Sequence, residues 1–224
     1  GSMADFLMLV IVDKTENTYS FLQFNRDTMT EVALIDHNGE GEATANIQLC
    51  TAHWYGGNRE QSCENTVKSG VTVTLEDDFS KKYPKMKKGA TINLDDEQAY
   101  AYVHDRYGVG NEENTSRMKR QQQYMTGFFK KLQEKVKANP NYANEVFESL
   151  QDVSTTDITI GKISNISNIF ASGTDKGIFE LAGKSKIGQA LGDEIDHMEF
   201  YVNKKAMVST MSELFGIVEQ KNKE

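Results

Sequence analysis

The chain has 224 residues, with 25 basic and 33 acidic side chains, a formal charge of −8, two prolines and two cysteines. That length suits one domain with an ordinary core. The net acidity excludes a general nucleic-acid binder, which needs a basic field, so any anion site must be a local cluster of cations. No apolar run is long enough to span a bilayer, and the chain as given reads as soluble. Gly1-Ser2-Met3 reads as an expression scar standing where a native anchor or signal can have been removed.

In chain order, "FLMLVIVD" (6–13) predicts a central strand covered on both faces. "KTENT" supplies turn chemistry and "YSFLQFN" (19–25) predicts a second strand. A hairpin centred between Thr15 and Glu16 then sets Asp5 opposite Arg26 at one edge of the sheet. A carboxylate and a guanidinium so placed form either a surface ion pair of little weight or part of a site. Residues 36–66, rich in glycine, asparagine and polar side chains, predict a long loop with a short helix. Cys50 and Cys63 match no two-pair zinc signature. They leave open a disulfide closing a short loop, which would imply an oxidising compartment, or two unrelated buried thiols.

"VTVTL" (71–75) alternates as a strand. "LDDEQAYAYV" (94–103) predicts a helix, with Asp95 as cap, Gln98 three residues later and Leu94 before the cap. It runs into "HDRYGVG", where Gly108 and Gly110 mark a loop and Arg106 lies just past the helix end, a position that suits a cation. "ENTSRMKRQQQYMTGFFKKL" (113–132) predicts a second helix, capped by Asn114, Thr115 or Ser116. "NPNYANEVFESLQ" predicts a helix with Asn139 as cap, and "DITIGKISNISNIF" a strand followed by a helix. "HMEFYV" (197–202) predicts a late strand. Asn203 then caps a final helix with an apolar face of Met207, Met211, Leu214, Phe215 and Val218. Interspersed strands and helices without a repeat predict one mixed α/β domain over residues 4–220.

The second helix carries Arg117, Lys119 and Arg120 in its opening turns, where the helix dipole disfavours cations. On a wheel of about 100° per residue, Met125, Phe128, Phe129 and Leu132 define an apolar face. Arg117 and Gln121 fall within or beside it, Lys119 points to solvent, and Arg120 lies on the border. A guanidinium aimed at a core requires a carboxylate or an anionic ligand. A helix N-terminus favours an anion, and the planar fork of arginine grips two phosphate oxygens at once. An internal Arg–Asp pair and a phosphate site are the two readings of this pattern.

At this point the sequence resembles the LytR–CpsA–Psr family, enzymes that attach glycopolymers to the cell walls of Gram-positive bacteria. The likeness runs through "ADFLMLVIVD", "FLQFNRDT", "VTVTLEDDF", "LDDEQAYAYVHDR", "NTSRMKRQQ" and the closing "MEFYV". The second is similar to the family's Ser-Ile-Pro-Arg-Asp-Thr motif, and the fifth to its Arg-x-x-Arg-Gln. The resemblance implies a mixed central β-sheet flanked by helices, with an apolar pocket for a polyprenyl chain and arginines at its mouth. It implies Asp5 as a magnesium-associated aspartate, with Mg2+ as cofactor. Arg26, Arg106, Arg117, Arg120 and Gln121 are implied as pyrophosphate-binding positions, and Asp5, Arg26 and Arg106 as the catalytic set. The implied partners are a polyprenyl-pyrophosphate-linked glycopolymer and peptidoglycan. The implied location is the extracellular face of a Gram-positive membrane, as the soluble domain of an anchored protein.

The sequence departs from the family pattern in four places. His104 stands at the first arginine of an Arg-x-Arg pair. Asn25 replaces the proline before Arg26, which predicts a looser loop. The chain begins too late to include the family's first strand and its second metal-associated aspartate. "CENTVKSGVTVTL" also passes directly from an early helix to a later strand, with an apparent deletion near Ser69-Gly70. Two other uses of the same site stay open: a protein that holds a polyprenyl phosphate without turnover, and a pyrophosphatase with water as acceptor. Asp27 follows a strand end, where an aspartate usually caps the next turn, and it is given no role.

Overall fold

Asp13 accepts the amides of Thr15 and Glu16 at 2.8 and 3.0 Å, and Asn17 takes a left-handed conformation with φ of 50°. These are the local devices of a tight reversal. They join β1 (Leu7–Asp13) to β2 (Thr18–Phe24), placing the hairpin centre where the sequence predicts it. The computed structural model describes residues 6–35, 41–50, 70–150, 158–190 and 192–216. With β7 (Thr174–Glu180), the hairpin forms a three-stranded sheet in the order β1-β2-β7. The middle strand is therefore β2, whose residues Tyr19 to Gln23 are all buried. Among the described strands β1 is an edge, with Leu9 43% and Val10 47% exposed, contrary to the central place that its apolar run predicts. Apolar composition reports suitability for burial; the number of neighbours is decided by chain segments far away in sequence.

The chain divides into two compact units: residues 1–11, 20–60 and 176–224, and residues 12–19 and 61–175. In the first, β3 (Met29–Ile35) pairs antiparallel with β4 (Gly41–Gln48), in register from Met29 opposite Gln48 to Leu34 opposite Ala43. This corrects the long loop expected from residue 36 onward, because the polar "GEATANIQ" is ordered by a ladder that composition does not reveal. Strands β8 (Gly183–Gly188) and β9 (His197–Val202) form a second hairpin. It is tied to the segment after β2 by a parallel bridge between Thr28 and Phe200 and by the Phe200 amide donating to Asp27 O at 2.8 Å. Asn203 caps α5 (Lys204–Phe215) through the Ala206 amide at 3.1 Å. Met207, Met211 and Leu214 are half-buried, whereas Phe215 is exposed. Val218 lies outside the described residues.

In the second unit, β5 (Thr72–Thr74) pairs with β6 (Thr91–Asn93). Over this pair lie α1 (Asp96–His104) and α2 (Asn114–Ala138), around a core that includes Val71, Val73, Leu75, Phe79, Leu94, Tyr102 and Tyr124. The start of α1 is the predicted capping box: Asp95 accepts the Gln98 amide at 2.9 Å and Gln98 Oε1 accepts the Asp95 amide at 3.2 Å. The preceding Leu94 is fully buried, so the cap and the core fix the helix entrance together. Helices α3 (Tyr142–Leu150) and α4 (Ile160–Ser172) pack on the later part of α2. Asn139 opens the turn into α3, with its side chain accepting the Asn141 amide at 3.0 Å. Thr159 caps α4, and residues 158 and 159 are not strand, which corrects the strand expected before that helix. β-branched residues favour a strand only when a neighbour is there to pair with. Phe170 of α4 stacks on Tyr19 at 4.3 Å, and its carbonyl accepts Gln133 Nε2 at 2.9 Å.

Candidate functional site

The start of α2 divides its cations in three ways. Glu113 occupies the N-cap with extended geometry and makes no side-chain cap bond. The three candidate caps are used otherwise. Ser116 donates to Asn111 Oδ1 at 2.6 Å, Thr115 donates to Glu113 Oε2 at 3.0 Å, and Asn114 turns inward toward Arg117. Arg117 is 4% exposed, and its Nε and Nη2 donate to Asn114 Oδ1 at 3.1 and 2.6 Å. One contact that aims this guanidinium is a neutral amide three residues earlier, one helical turn away. Gln121, one turn further and 4% exposed, donates from Nε2 to Val103 O at 3.0 Å. Lys119 points outward, as its wheel position requires.

Arg120, on the border of the wheel, is 1% exposed. Its Nη1 meets Asp77 Oδ2 at 2.5 Å, its Nε donates to Tyr102 O at 2.9 Å, and its Nη2 donates to Asp105 O. The guanidinium also lies 5.4 Å from the Phe79 ring. This set ties the end of α1, the loop after β5 and the first turns of α2 to one side chain. It is the internal Arg–Asp pair, realised at residue 120. Asp77 also lines a polar cleft of about 360 Å³ with Glu76, Lys88, Ser116 and Lys119.

Arg106 follows the Asp105 C-cap in the α1–α2 loop. Its guanidinium lies 4.6 Å from the Tyr107 ring and donates to the Tyr107 hydroxyl at 2.5 Å. The loop is pinned beneath it. The Val109 amide donates to Arg106 O at 3.3 Å, and the Gly108 amide donates to Glu112 Oε1 at 2.8 Å. Gly110 is required twice over: its φ is +58°, and a Cβ there would stand 2.7 Å from Asp77 Oδ1. His104 stacks on Tyr100 at 4.8 Å and lies 3.5 Å from Asp105 Oδ1.

In the other unit, Arg26 sits in a turn organised by Asn25. The Asn25 side chain accepts the Asp27 amide at 3.0 Å, and its carbonyl accepts the Thr28 amide and hydroxyl at 3.0 and 2.6 Å. The looser loop expected from the missing proline is therefore not found; a side-chain turn does the work of the ring. Arg26 Nε lies 3.7 Å from Asp27 Oδ1, and Nη2 donates to Cys50 Sγ at 3.6 Å. Burial pushes the Cys50 thiol above its ordinary 9.0, against the opposing pull of Arg26. The Asp27 carboxylate lies beside Arg26, and its backbone carbonyl accepts the Phe200 amide of β9.

Asp5 and Cys63 lie outside the described residues, as does the segment up to Ser69. Among the described residues, no group of three or more His, Cys, Asp or Glu could hold a metal ion. The second unit brings Arg106, Arg117, Arg120 and Gln121 onto the α1–α2 elbow, whereas Arg26 belongs to the other unit. Sequence reasoning misses Asn114 as the partner of Arg117, although the i, i+3 spacing is a signal. It also misses Asp77, which is 43 residues from Arg120 and has no local signal.

Helices packed on a mixed set of strands define an α/β protein of the type expected. The LytR_cpsA_psr family model matches residues 61–215, and the chain belongs to that family, whose members are in general cell-wall glycopolymer transferases. Arg106, Arg117, Arg120 and Gln121 fall within the matched span. No curated protein matches the chain. Among solved structures, the chain is similar to B. subtilis TagV, with TM-score 0.63 and 18% identity, covering 97% of this chain and 91% of that one. It is also similar to TagT bound to LIIa-WTA, with TM-score 0.62 and 18% identity over 96% of this chain and 85% of that one. A Listeria innocua protein gives TM-score 0.60 at 16% identity over 97% and 94%. These likenesses show the fold.

Proposed function

We propose that this chain transfers a glycopolymer of the teichoic-acid class from a polyprenyl-pyrophosphate carrier to peptidoglycan. The observation that carries the reading is the placement of a buried guanidinium, Arg117, in the first turn of α2, with Gln121 one turn beyond it on the same buried face. Holding a guanidinium inside a protein is costly. A helix N-terminus favours an anionic ligand, and the planar fork of an arginine in its first turn suits two phosphate oxygens.

In this reading Arg117 neutralises charge on the carrier's pyrophosphate, assisted by Gln121. Arg106, in its pinned loop, supplies a further cation. A sugar hydroxyl of peptidoglycan attacks the phosphorus bearing the polymer, and polyprenyl phosphate leaves. The residues contribute positioning and charge stabilisation, which dominate phosphoryl transfer. The polyprenyl chain lies along the half-buried Met125, Phe128, Phe129 and Leu132 of α2. Arg120, already bonded to Asp77, Tyr102 and Asp105, is the cation whose role is to keep this elbow in shape. No helix of the described residues is long and apolar enough to cross a membrane. The proposed location is the outer face of a Gram-positive membrane, with this domain held there by an anchor.

The test uses a lipid-linked saccharide with peptidoglycan oligomers, measuring polymer transfer, lipid binding and free phosphate separately. Transfer that falls at least a hundredfold in Arg117→Ala supports the reading. Binding without transfer in the parent chain would instead identify a carrier-binding protein, and phosphate release without transfer a pyrophosphatase.

A further inference from the structure

Two carboxylates flank Arg106 in the α1–α2 loop, and both are committed elsewhere. Asp105 Oδ2 accepts the Lys82 ammonium at 3.3 Å, and Glu112 Oε1 accepts the Gly108 amide at 2.8 Å. The Arg106 guanidinium turns instead to the next side chain, lying 4.6 Å from the centre of the Tyr107 ring while Nη2 donates to the Tyr107 hydroxyl at 2.5 Å. Among the described residues, the side-chain partner of this cation is thus a neutral ring and its hydroxyl. Tyr107 is 76% exposed, so the ring adds little to the core. The backbone that carries the pair is fixed on both sides. The Asp105 carbonyl accepts Arg120 Nη2, and the Arg106 carbonyl accepts the amide of the buried Val109 at 3.3 Å.

We propose that Tyr107 is a positioning residue for Arg106, holding its guanidinium preorganised for the pyrophosphate of the carrier. The proposal rests on the phosphate-binding role given to Arg106 above. An arginine in a surface loop samples many rotamers, and ordering them on binding weakens affinity. The stacked ring restricts those rotamers before the ligand arrives. It does so without an anion: an aromatic face attracts a guanidinium and leaves its charge intact, whereas a carboxylate in the same place would cancel much of the charge needed for phosphate. Only one N–H goes to the hydroxyl, so the other donors of the fork stay available to phosphate oxygens.

The test is calorimetric titration of the full chain with farnesyl pyrophosphate, with urea unfolding of each variant alongside. Arg106→Ala should weaken binding about tenfold. Tyr107→Leu should weaken it about fivefold, and Tyr107→Phe, which keeps the ring, about twofold. The urea midpoints of all three should match the parent's, because neither side chain belongs to the core. Since Tyr107 acts through Arg106, the double variant Arg106→Ala/Tyr107→Leu should bind no more weakly than Arg106→Ala alone. Weakened binding in Arg106→Ala with parent-like binding in Tyr107→Leu would overturn the positioning role alone. Parent-like binding in Arg106→Ala would overturn the phosphate-binding role of Arg106 itself. A further loss on adding Tyr107→Leu to Arg106→Ala would overturn the proposal in favour of direct contact between the ring and the ligand.

Discussion

Replacing Arg120 by methionine keeps the aliphatic bulk of the side chain and removes three polar contacts at once. The Asp77 carboxylate, 15% exposed, loses a partner at 2.5 Å, and the carbonyls of Tyr102 and Asp105 lose a donor. Breaking a buried ion pair from one side costs about 3–5 kcal/mol. Each stranded acceptor adds about 1 kcal/mol or more, but the three contacts share one guanidinium and their costs do not add in full. A loss of about 4 kcal/mol is a large part of the ~5–15 kcal/mol that stabilises an ordinary domain. Urea unfolding followed by circular dichroism should show a much lower midpoint for Arg120→Met. Asp77→Asn should lose less, and the double variant less than the sum. An unchanged midpoint combined with lost pyrophosphate-lipid binding would refute the reasoning and return Arg120 to the ligand site.

Gly127 of α2 meets the residue before β5 so closely that an added Cβ would stand 2.6 Å from Val71 Cγ1, and Val71 is buried. Gly127→Ala gains about 1 kcal/mol of helix propensity but overpacks the core at a cost of about 1–3 kcal/mol, so denaturation should show a net loss. Glu199 is 2% exposed; the Ala190 amide at 2.8 Å, the Tyr201 hydroxyl at 2.8 Å and the Lys186 ammonium hold its carboxyl below the ordinary 4.5. Its stabilisation is therefore present above pH 4.5 and lost as pH falls through the lower folded value. Glu199→Gln should be less stable than the parent at pH 7 and less sensitive to acid below pH 4.5. His104→Arg should tighten binding of farnesyl pyrophosphate several-fold if this position faces the carrier, as titration calorimetry would register.

Where local chemistry decides, the sequence is legible. Asp95 and Gln98 mark the start of α1 because a capping box is a contact between near neighbours. The wheel places Arg117 and Gln121 inside and Lys119 outside because α2 is long and regular. Where partners are distant, the same reasoning falls short. The run "LMLVIVD" does not disclose that β2 would take the middle of the sheet. The polar "GEATANIQ" does not disclose that Met29 to Leu34 would pair with it. Arg120 sits on the border of its helix until Asp77 settles it, and the soft contacts of Cys50 with Arg26 have no sequence signature at all.

The central claim is that the two arginines opening α2 do different work: Arg120 holds the elbow and Arg117 holds the ligand. The most direct measurement compares Arg117→Ala with the parent chain for both urea midpoint and affinity for a polyprenyl-pyrophosphate-linked saccharide. The account predicts a midpoint close to the parent's, because removing a buried cation relieves its desolvation and offsets the loss of the contacts it makes, together with binding weakened at least tenfold. A collapsed midpoint with parent-like affinity in the folded fraction would contradict it.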